Sequence, residues 1–504
     1  MNNMKECYAL FYLFFVIAFY ASLSFVPLSG PSIGISPVPS FAPASGWGDF
    51  NRDGYLDLAF CGINGGVYLN NGNETFTLLP SSGAIMASSR TCFVAVGDVN
   101  NDNWPDIVFN GAGMRLLLNY QNNTFSNIAV IGAPHGIQKL YDMNNDGRQD
   151  ILTGYSSSPG SSVLRNDGNN TFSTVFSFPV SLAPGSPTEM IDLNGDGFSD
   201  LLDLYSDSLG YQSAVYLGSG NFTFNSVPTN FAGTAGLNSI VSGDFNNDRL
   251  MDVMNTSPGI VINLNINKTA VFQRITFGSG TTGFCGVNGD FDNNGLLDVF
   301  HNQGGGAAGF ELQNPMGVFT FGAFNTTNGS GSLSPDAADF NNDGTLDAII
   351  LTTSPNLTLT ILKNVGTPVT AAPVAPFNLQ SSAISSDSYN LSWSYNSSLV
   401  SFNVYVTTAA DGSGLFVVPP IANIATGKSY ISQLLGNAQK NKFLILTGLD
   451  PKQAYYWSVQ ARDMTYHDGL FAAQACFGAG CQVASTTTNS NALSAASQLQ
   501  WLFF

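Results

Sequence analysis

Carboxylates at one fixed spacing recur seven times along this 504-residue chain. The segments are DFNRDGYLD from Asp49, DVNNDNWPD from Asp98, DMNNDGRQD from Asp142, DLNGDGFSD from Asp192, DFNNDRLMD from Asp244, DFDNNGLLD from Asp290 and DFNNDGTLD from Asp339. Oxygen-bearing side chains stand at positions one, three and five, position seven can add a backbone carbonyl, and an Asp at position nine closes the set. Hard oxygens on a tight loop suit Ca2+, and glycine at position six permits the positive φ of the bend. The candidate ligands are Asp49, Asn51, Asp53 and Asp57 in loop 1, and Asp98, Asn100, Asp102 and Asp106 in loop 2. Loops 3 and 4 offer Asp142, Asn144, Asp146, Asp150 and Asp192, Asn194, Asp196, Asp200. Loops 5 to 7 offer Asp244, Asn246, Asp248, Asp252, then Asp290, Asp292, Asn294, Asp298, then Asp339, Asn341, Asp343, Asp347. Asp, Asn and Gly also favour ordinary turns, so a single copy would read as punctuation at a strand end. Seven copies with the ninth Asp intact point to metal.

The charge balance follows the same loops. The chain carries 34 acidic and 16 basic residues, a formal charge of -18, and 21 of the acids lie in the loops. Without a cation each loop crowds three carboxylates, whose repulsion opposes folding. Up to seven structural Ca2+ ions, +14 in total, would bring -18 to -4. Loop 2 has Asn103 in place of the glycine and Pro105 nearby, and loop 5 has Arg249 at position six, where its charge competes with a cation. Loop 5 is expected to be the weakest site. So acidic a surface repels phosphate backbones and argues against nucleic acid as a partner.

The elements that must carry these loops are short strands. Each loop sits between two apolar stretches, as in SIVSGDF before and LDAIILTT after, and a second strand pair follows. That pair reads GVYLNNG and ETFTLLP in the first repeat and AVYLGSG and FTFNSV in the fourth, with Asn-Gly or Ser-Gly hairpin signals between. Loop starts are 44 to 52 residues apart, and four strands at that period describe a propeller blade better than a solenoid turn. No long stretch shows helical periodicity. The fold class is therefore all-β, with a seven-bladed β-propeller over 31–366. An outermost strand is marked six times, at Thr75-Phe76, Thr124-Phe125, Thr171-Phe172, Thr223-Phe224, Val271-Phe272 and Val318-Phe319. Blade 7 lacks one, and the segment from Ile33 to Ser40 is expected to supply it and remove the open edge.

These loops resemble the FG-GAP or VCBS repeats of integrin α-chain propellers and of many extracellular proteins. The resemblance implies a calcium-bearing propeller whose metal loops join the first and second strands of each blade. It also implies that ligands engage the opposite face, where Tyr155, Tyr205, Tyr211, His135 and His301 are the candidate contacts. Loops 1, 3, 4, 6 and 7 match the pattern fully, and loops 2 and 5 depart at position six.

After a proline-rich linker at 367–376, the stretch 377–487 has sandwich character, with YNLSWSY, SFNVYVTT and AYYWSVQARD as strands. Leu449, Pro451, Tyr455, Val459 and Ala461 resemble the E–F corner of fibronectin type III domains, where a tyrosine hydroxyl bonds back to the backbone. A fibronectin type III-like β-sandwich acting as a spacer or stalk is expected, followed by a tail over 488–504. At the other end, residues 1–28 hold an uncharged apolar run, either a secretory signal peptide cleaved near Ser24 or an uncleaved signal anchor tethering the chain to a membrane. The protein is accordingly expected outside the cell. Cys476 with Cys481 and Cys61 with Cys92 are candidate disulfides, leaving Cys285. Eleven sequons, from Asn73 to Asn396, are candidate glycan sites, about the number this composition yields by chance.

Catalytic constellations are scarce. Three histidines fall in three different units, which disfavours a catalytic zinc site. Gly30-Pro31-Ser32-Ile33-Gly34 lacks a strand-to-helix elbow, and the glycines from Gly304 to Gly309 lie between strands rather than opening a helix. The expected function is an extracellular calcium-binding module for cell adhesion or protein binding, not an enzyme. A carbohydrate-binding propeller is the alternative, and an accessory part of a hydrolase the third reading. The expected partner is an extracellular protein or glycan.

Overall fold

The apolar runs that flank each acidic loop pair with one another, so every repeat forms its own antiparallel sheet. The computed structural model describes residues 25–27, 33–34, 45–61, 65–86, 93–111, 113–130, 136–154, 162–177, 188–207, 210–229, 240–255, 260–268, 271–277, 283–303, 307–314, 317–324, 335–352, 358–368, 371–410, 414–432 and 435–481. Blade 1 is ordered in sequence as Ser45–Gly48, Asp57–Phe60, Gly66–Asn70 and Phe76–Leu78. Blades 2 to 6 repeat this meander, opening with Phe93–Gly97, Gly136–Tyr141, Thr188–Ile191, Ile240–Gly243 and Gly283–Gly289. Blade 7 has Asp336–Ala338, Asp347–Thr352 and Thr358–Asn364. Among the described residues the innermost strands of neighbouring blades touch, and blade 7 meets blade 1, which closes a ring of seven sheets. Blades 3 and 4 are joined by the Lys139–Glu189 ion pair and by a shared core around Met143, Leu152, Met190 and Leu201.

The core lies between blades rather than within them. Trp47, Leu58, Phe60 and Tyr68 of blade 1 pack on Ala338, Phe340, Ile349 and Ile361 of blade 7. The second residue of every acidic loop is apolar and buried: Phe50, Val99, Met143, Leu193, Phe245, Phe291 and Phe340. Each wedges its loop into the blade, and burying a side chain of that size contributes about 1.5–3 kcal/mol.

Ring closure meets the expectation at Ile33–Gly34 and extends beyond it. Two short strands pair with Thr358–Asn364: Phe25–Pro27 opposite Leu362 to Asn364, and Ile33–Gly34 opposite Thr358 and Leu359. Ile33–Gly34 belongs to the segment expected to close the ring, Phe25–Pro27 lies inside the segment read as a leader, and residues 35–40 lie outside the described residues. Phe25 explains the added strand: its ring is buried and stacks on Phe310 at 4.6 Å between centroids. Two smaller differences concern blades 1 and 2. Thr124-Phe125 forms no strand but a bridge from Phe125 to Asn119, with the Thr124 carbonyl accepting the Tyr120 N–H, and the outer strand of blade 2 is Ile128–Ala129. A seven-residue helix, Pro80–Met86, follows blade 1 and buries Met86 beside Val67 and Phe109.

Residues from Phe377 onward form two further sheets, Phe377–Ala383, Tyr389–Ser394 and Phe443–Leu446 against Phe416–Val418, Ser401–Thr407, Ala454–Arg462 and Ala475–Gly478. Leu391, Trp393 and Leu446 of one meet Phe402, Val404, Trp457 and Val459 of the other in a single core. The three-plus-four arrangement is compatible with the fibronectin type III resemblance. The Tyr455 hydroxyl accepts the Asp450 N–H at 2.8 Å, a bond of the kind that resemblance implies. Cys476 and Cys481 are bonded to each other, and Cys61 is also in a disulfide. Cys92 lies outside the described residues.

This sandwich is not an extended stalk. It and the linker sit on the face of the ring that carries the acidic loops and touch all seven. Asp49 N–H donates to the Tyr430 carbonyl and Asp290 N–H to that of Met464, both at 2.9 Å. Asn101 reaches the Val417 carbonyl at 3.2 Å, and Thr447 donates to the carbonyls of Asn144 and Asn145. Asn441, Lys440 and His467 contact the carboxylates of Asp192, Asp244 and Asp339. Arg52 lies 4.3 Å from the ring centroids of both Trp104 and Tyr430, tying loop 1 to loop 2 and to the sandwich.

Candidate metal centres

Each acidic loop is held by the same hydrogen bonds, and these bring its oxygens around one turn. In loop 1, one Asp49 oxygen accepts the Asp53 N–H at 3.1 Å and the other the Gly54 N–H at 3.0 Å. Asn51 accepts the Asp53 N–H at 3.0 Å, and Asp53 accepts the Tyr55 N–H at 2.9 Å. The pattern recurs in the other loops, with Asp292 at position three and Asn294 at position five of loop 6. Two residues per loop take the left-handed conformation. Position six does so at φ 90 for Gly54, 69 for Asn103 and 75 for Arg249; position four does so at φ 60 for Asn101, 56 for Asn145 and 57 for Asn342. Asparagine enters that region more readily than other side-chain-bearing residues, which explains its recurrence at position four.

The ninth Asp does more than offer an oxygen to the loop. In blade 1, one Asp57 oxygen accepts the Phe50 N–H at 2.9 Å and the other the Asn70 N–H at 2.7 Å, so it clamps the loop to the end of the third strand. Its six counterparts do the same. The clamped strand-end residue then reaches to the preceding blade. The side-chain amides of Asn70, Asn119, Asn166, Asn265, Gln313 and Asn364 donate to the carbonyls of Phe340, Phe50, Val99, Leu193, Phe245 and Phe291. Blade 4 has Gly218 at this place, where a Cβ would lie 2.1 Å from the Ser199 carbonyl oxygen. A second belt joins loop to loop: Asn101 donates to the Gly147 carbonyl, Asn145 to that of Gly197 and Asn342 to that of Gly54. Sequence reading missed both belts, although asparagine recurs at both positions.

Burial raises the most enclosed carboxyl groups of the loops, chiefly those at positions one and nine. It pushes Asp57, Asp200 and Asp252 up to about 8, and the neighbouring Asp charges of each loop add to the rise against the hydrogen bonds that oppose it. Asp98, Asp142 and Asp290 rise to about 7 and Asp49 to about 6, again chiefly through burial. Asp106, Asp150, Asp298 and Asp347 are held well above the carboxylate range by burial. Buried oxygens that resist ionisation together are the donor set a hard dication satisfies. In loop 6, carboxylate oxygens of Asp290, Asp292 and Asp298 lie within 4.8 Å of one another. The donor chemistry of the residues present therefore suits a hard dication such as Ca2+, which the oxygens at positions one, three, five and nine would hold.

The candidate ligand contacts are placed differently. His301 is buried in blade 6, where its strand neighbours are Gly286 and Gly309, and its imidazole lies 3.6 Å from Glu311. Two flanking glycines leave room for the ring inside the sheet, so His301 is corrected from a surface contact to a core residue. Tyr205 and Tyr211 stand in the hairpin of Asp200–Asp207 and Gly210–Gly218, paired with Gln212 and Ser206. Tyr155 and His135 lie outside the described residues.

Comparison with known proteins gave no match among curated sequences. Among solved structures, BBS1N in complex with ARL6DN is similar over 67% of this chain and 99% of that one, at 9% identity and a TM-score of 0.41. YCF48 from Cyanidioschyzon merolae is similar over 68% and 98%, at 12% identity and a TM-score of 0.39. AofleA from Arthrobotrys oligospora is similar over 55% and 86%, at 12% identity and a TM-score of 0.34. Segments 49–109, 142–203, 192–254 and 290–350 match the family described as FG-GAP-like repeat, and together they span all seven acidic loops. The chain is an all-β protein that carries four matched FG-GAP-like repeats.

Proposed function

We propose that the protein is an extracellular binding module: a calcium-loaded propeller that presents one face to a protein partner and acts in adhesion or attachment rather than catalysis. The observation that carries this reading is the placement of the sandwich. It covers the face bearing the acidic loops, so the loops serve structure and the opposite face is left for a partner. That face carries the hairpins joining second to third strands, because antiparallel strands put successive connections at opposite ends. The Cys476–Cys481 disulfide and the apolar N-terminal run support an extracellular setting.

The test is a paired screen of the calcium-loaded full chain on an array of extracellular protein domains and on a glycan array. Saturable binding to a protein, lost when Tyr205 and Tyr211 are replaced together by Ser, supports the reading. Saturable, sugar-specific binding in its place would make the propeller a lectin.

A further inference from the structure

Loop 5 differs from the other six both in its own residues and in what the sandwich brings to it. The carboxylate of Asp244 is fully buried, and its Oδ2 receives the ammonium of Lys440 at 2.9 Å. Lys440 is itself only 7% exposed and donates also to the Ser398 carbonyl at 3.0 Å, so its head group is fixed in place. Among the described residues, no other first-position carboxylate is paired with a lysine or arginine. Asp192 meets the neutral amide of Asn441, and Asp339 meets the imidazole of His467. Loop 5 also carries Arg249 where the pattern has glycine. Its backbone keeps the turn at φ 75, and its N–H still donates to Asp244 Oδ2 at 3.0 Å. The loop is thus shaped like the others without the residue that makes that shape easy.

A cavity of about 320 Å3 opens beside this loop, lined by Arg249, Lys268, Lys440 and Lys442 together with Asp192 and Asp248. Four of the chain's 16 basic residues therefore line one cavity between loops 4 and 5 of a protein with a net charge of -18, and of these only Lys440 is paired with a first-position carboxylate, that of Asp244. A buried carboxylate needs a compensating charge, and a dication added next to fixed cations in a low-dielectric site is repelled.

We propose that Lys440 supplies the positive charge of loop 5 in place of a divalent ion, so that the propeller takes six Ca2+ ions and the sandwich supplies the seventh cation. The inference rests on the calcium reading of the other loops. It makes loop 5 the one docking point of the sandwich that needs no metal.

Native mass spectrometry of the full chain saturated with Ca2+ tests it. Six ions are expected for the natural sequence. Asp244→Asn should leave that count unchanged, whereas Asp192→Asn should lower it by one. Lys440→Gln combined with Arg249→Gly should raise it to seven. Seven ions in the natural chain, falling to six in Asp244→Asn, would overturn the role of Lys440 and leave the calcium reading standing. A folded double variant that still holds six would overturn it as well. No bound ion in any form would overturn both. Should the double variant fail to fold, the contrast between Asp244→Asn and Asp192→Asn decides alone.

Discussion

At the residue scale, the side chain that sets the design is the ninth Asp of each loop. Its two oxygens hold the second residue of the loop and the end of the third strand, and the amide clamped there reaches the preceding blade. Asn70 closes this belt at the seam between blades 1 and 7, with its amide 2.8 Å from the Phe340 carbonyl. Asn70→Ala should therefore lower stability by about 1–3 kcal/mol in denaturant unfolding, whereas exposed Asn71→Ala should change it by less than about 0.5 kcal/mol. The belt was hard to read because the amide follows the ninth Asp by 13 residues in blades 1, 2 and 5 but by 15 to 17 in blades 3, 6 and 7. Hairpins of unequal length hid a constant position in space. Positions one to nine were legible because no insertion interrupts them.

The same carboxylates fix a pH dependence. In the metal-free protein Asp57, Asp200 and Asp252 hold protons up to about 8, whereas the unfolded chain releases them near 3.8. The native state then binds more protons across that window, so metal-free stability falls as pH rises from about 4 to about 8. On the proposed calcium reading, the cation takes the ionised form and offsets that loss. The rise in melting temperature on adding Ca2+ should accordingly be larger at pH 8 than at pH 5.5; an equal rise at both values would contradict the burial of these groups.

Among the elements, the closing strand matters most. Phe25 stacks on Phe310 and meets Phe291 at a tilt from the outer strand of blade 7, so it joins that blade to blade 6. Phe25→Ala should cost about 3 kcal/mol in unfolding free energy, while Val26→Ala on the exposed side of the same strand should cost little. The blades were legible because apolar runs and hairpin dipeptides repeat with the acidic loops. The closing segment was placed correctly at Ile33–Gly34, but the added pairing of Phe25 to Pro27 was missed because these residues continue an apolar run that reads as a leader. The helix Pro80–Met86 is too short for its period to show. His301 read as a surface residue because its burial depends on glycines contributed by two other strands.

For the whole molecule, the seat of the sandwich on the loop face was not legible at all. Tyr430, Met464 and Val417 make their contacts through backbone carbonyls, which any residue offers, and Lys440, Asn441 and His467 are ordinary surface types out of context. The sandwich contacts the first residue of five loops, at Asp49, Asp192, Asp244, Asp290 and Asp339, and so ties the arrangement of the two domains to the charge within the loops. The most direct test is the thermal unfolding of the full chain at pH 7.5 with saturating Ca2+ and then with excess chelator. A loop held at a hundred times its Kd contributes about 2.7 kcal/mol, so several loops together should raise the melting temperature by on the order of 10 °C or more. An unchanged melting temperature would contradict the account.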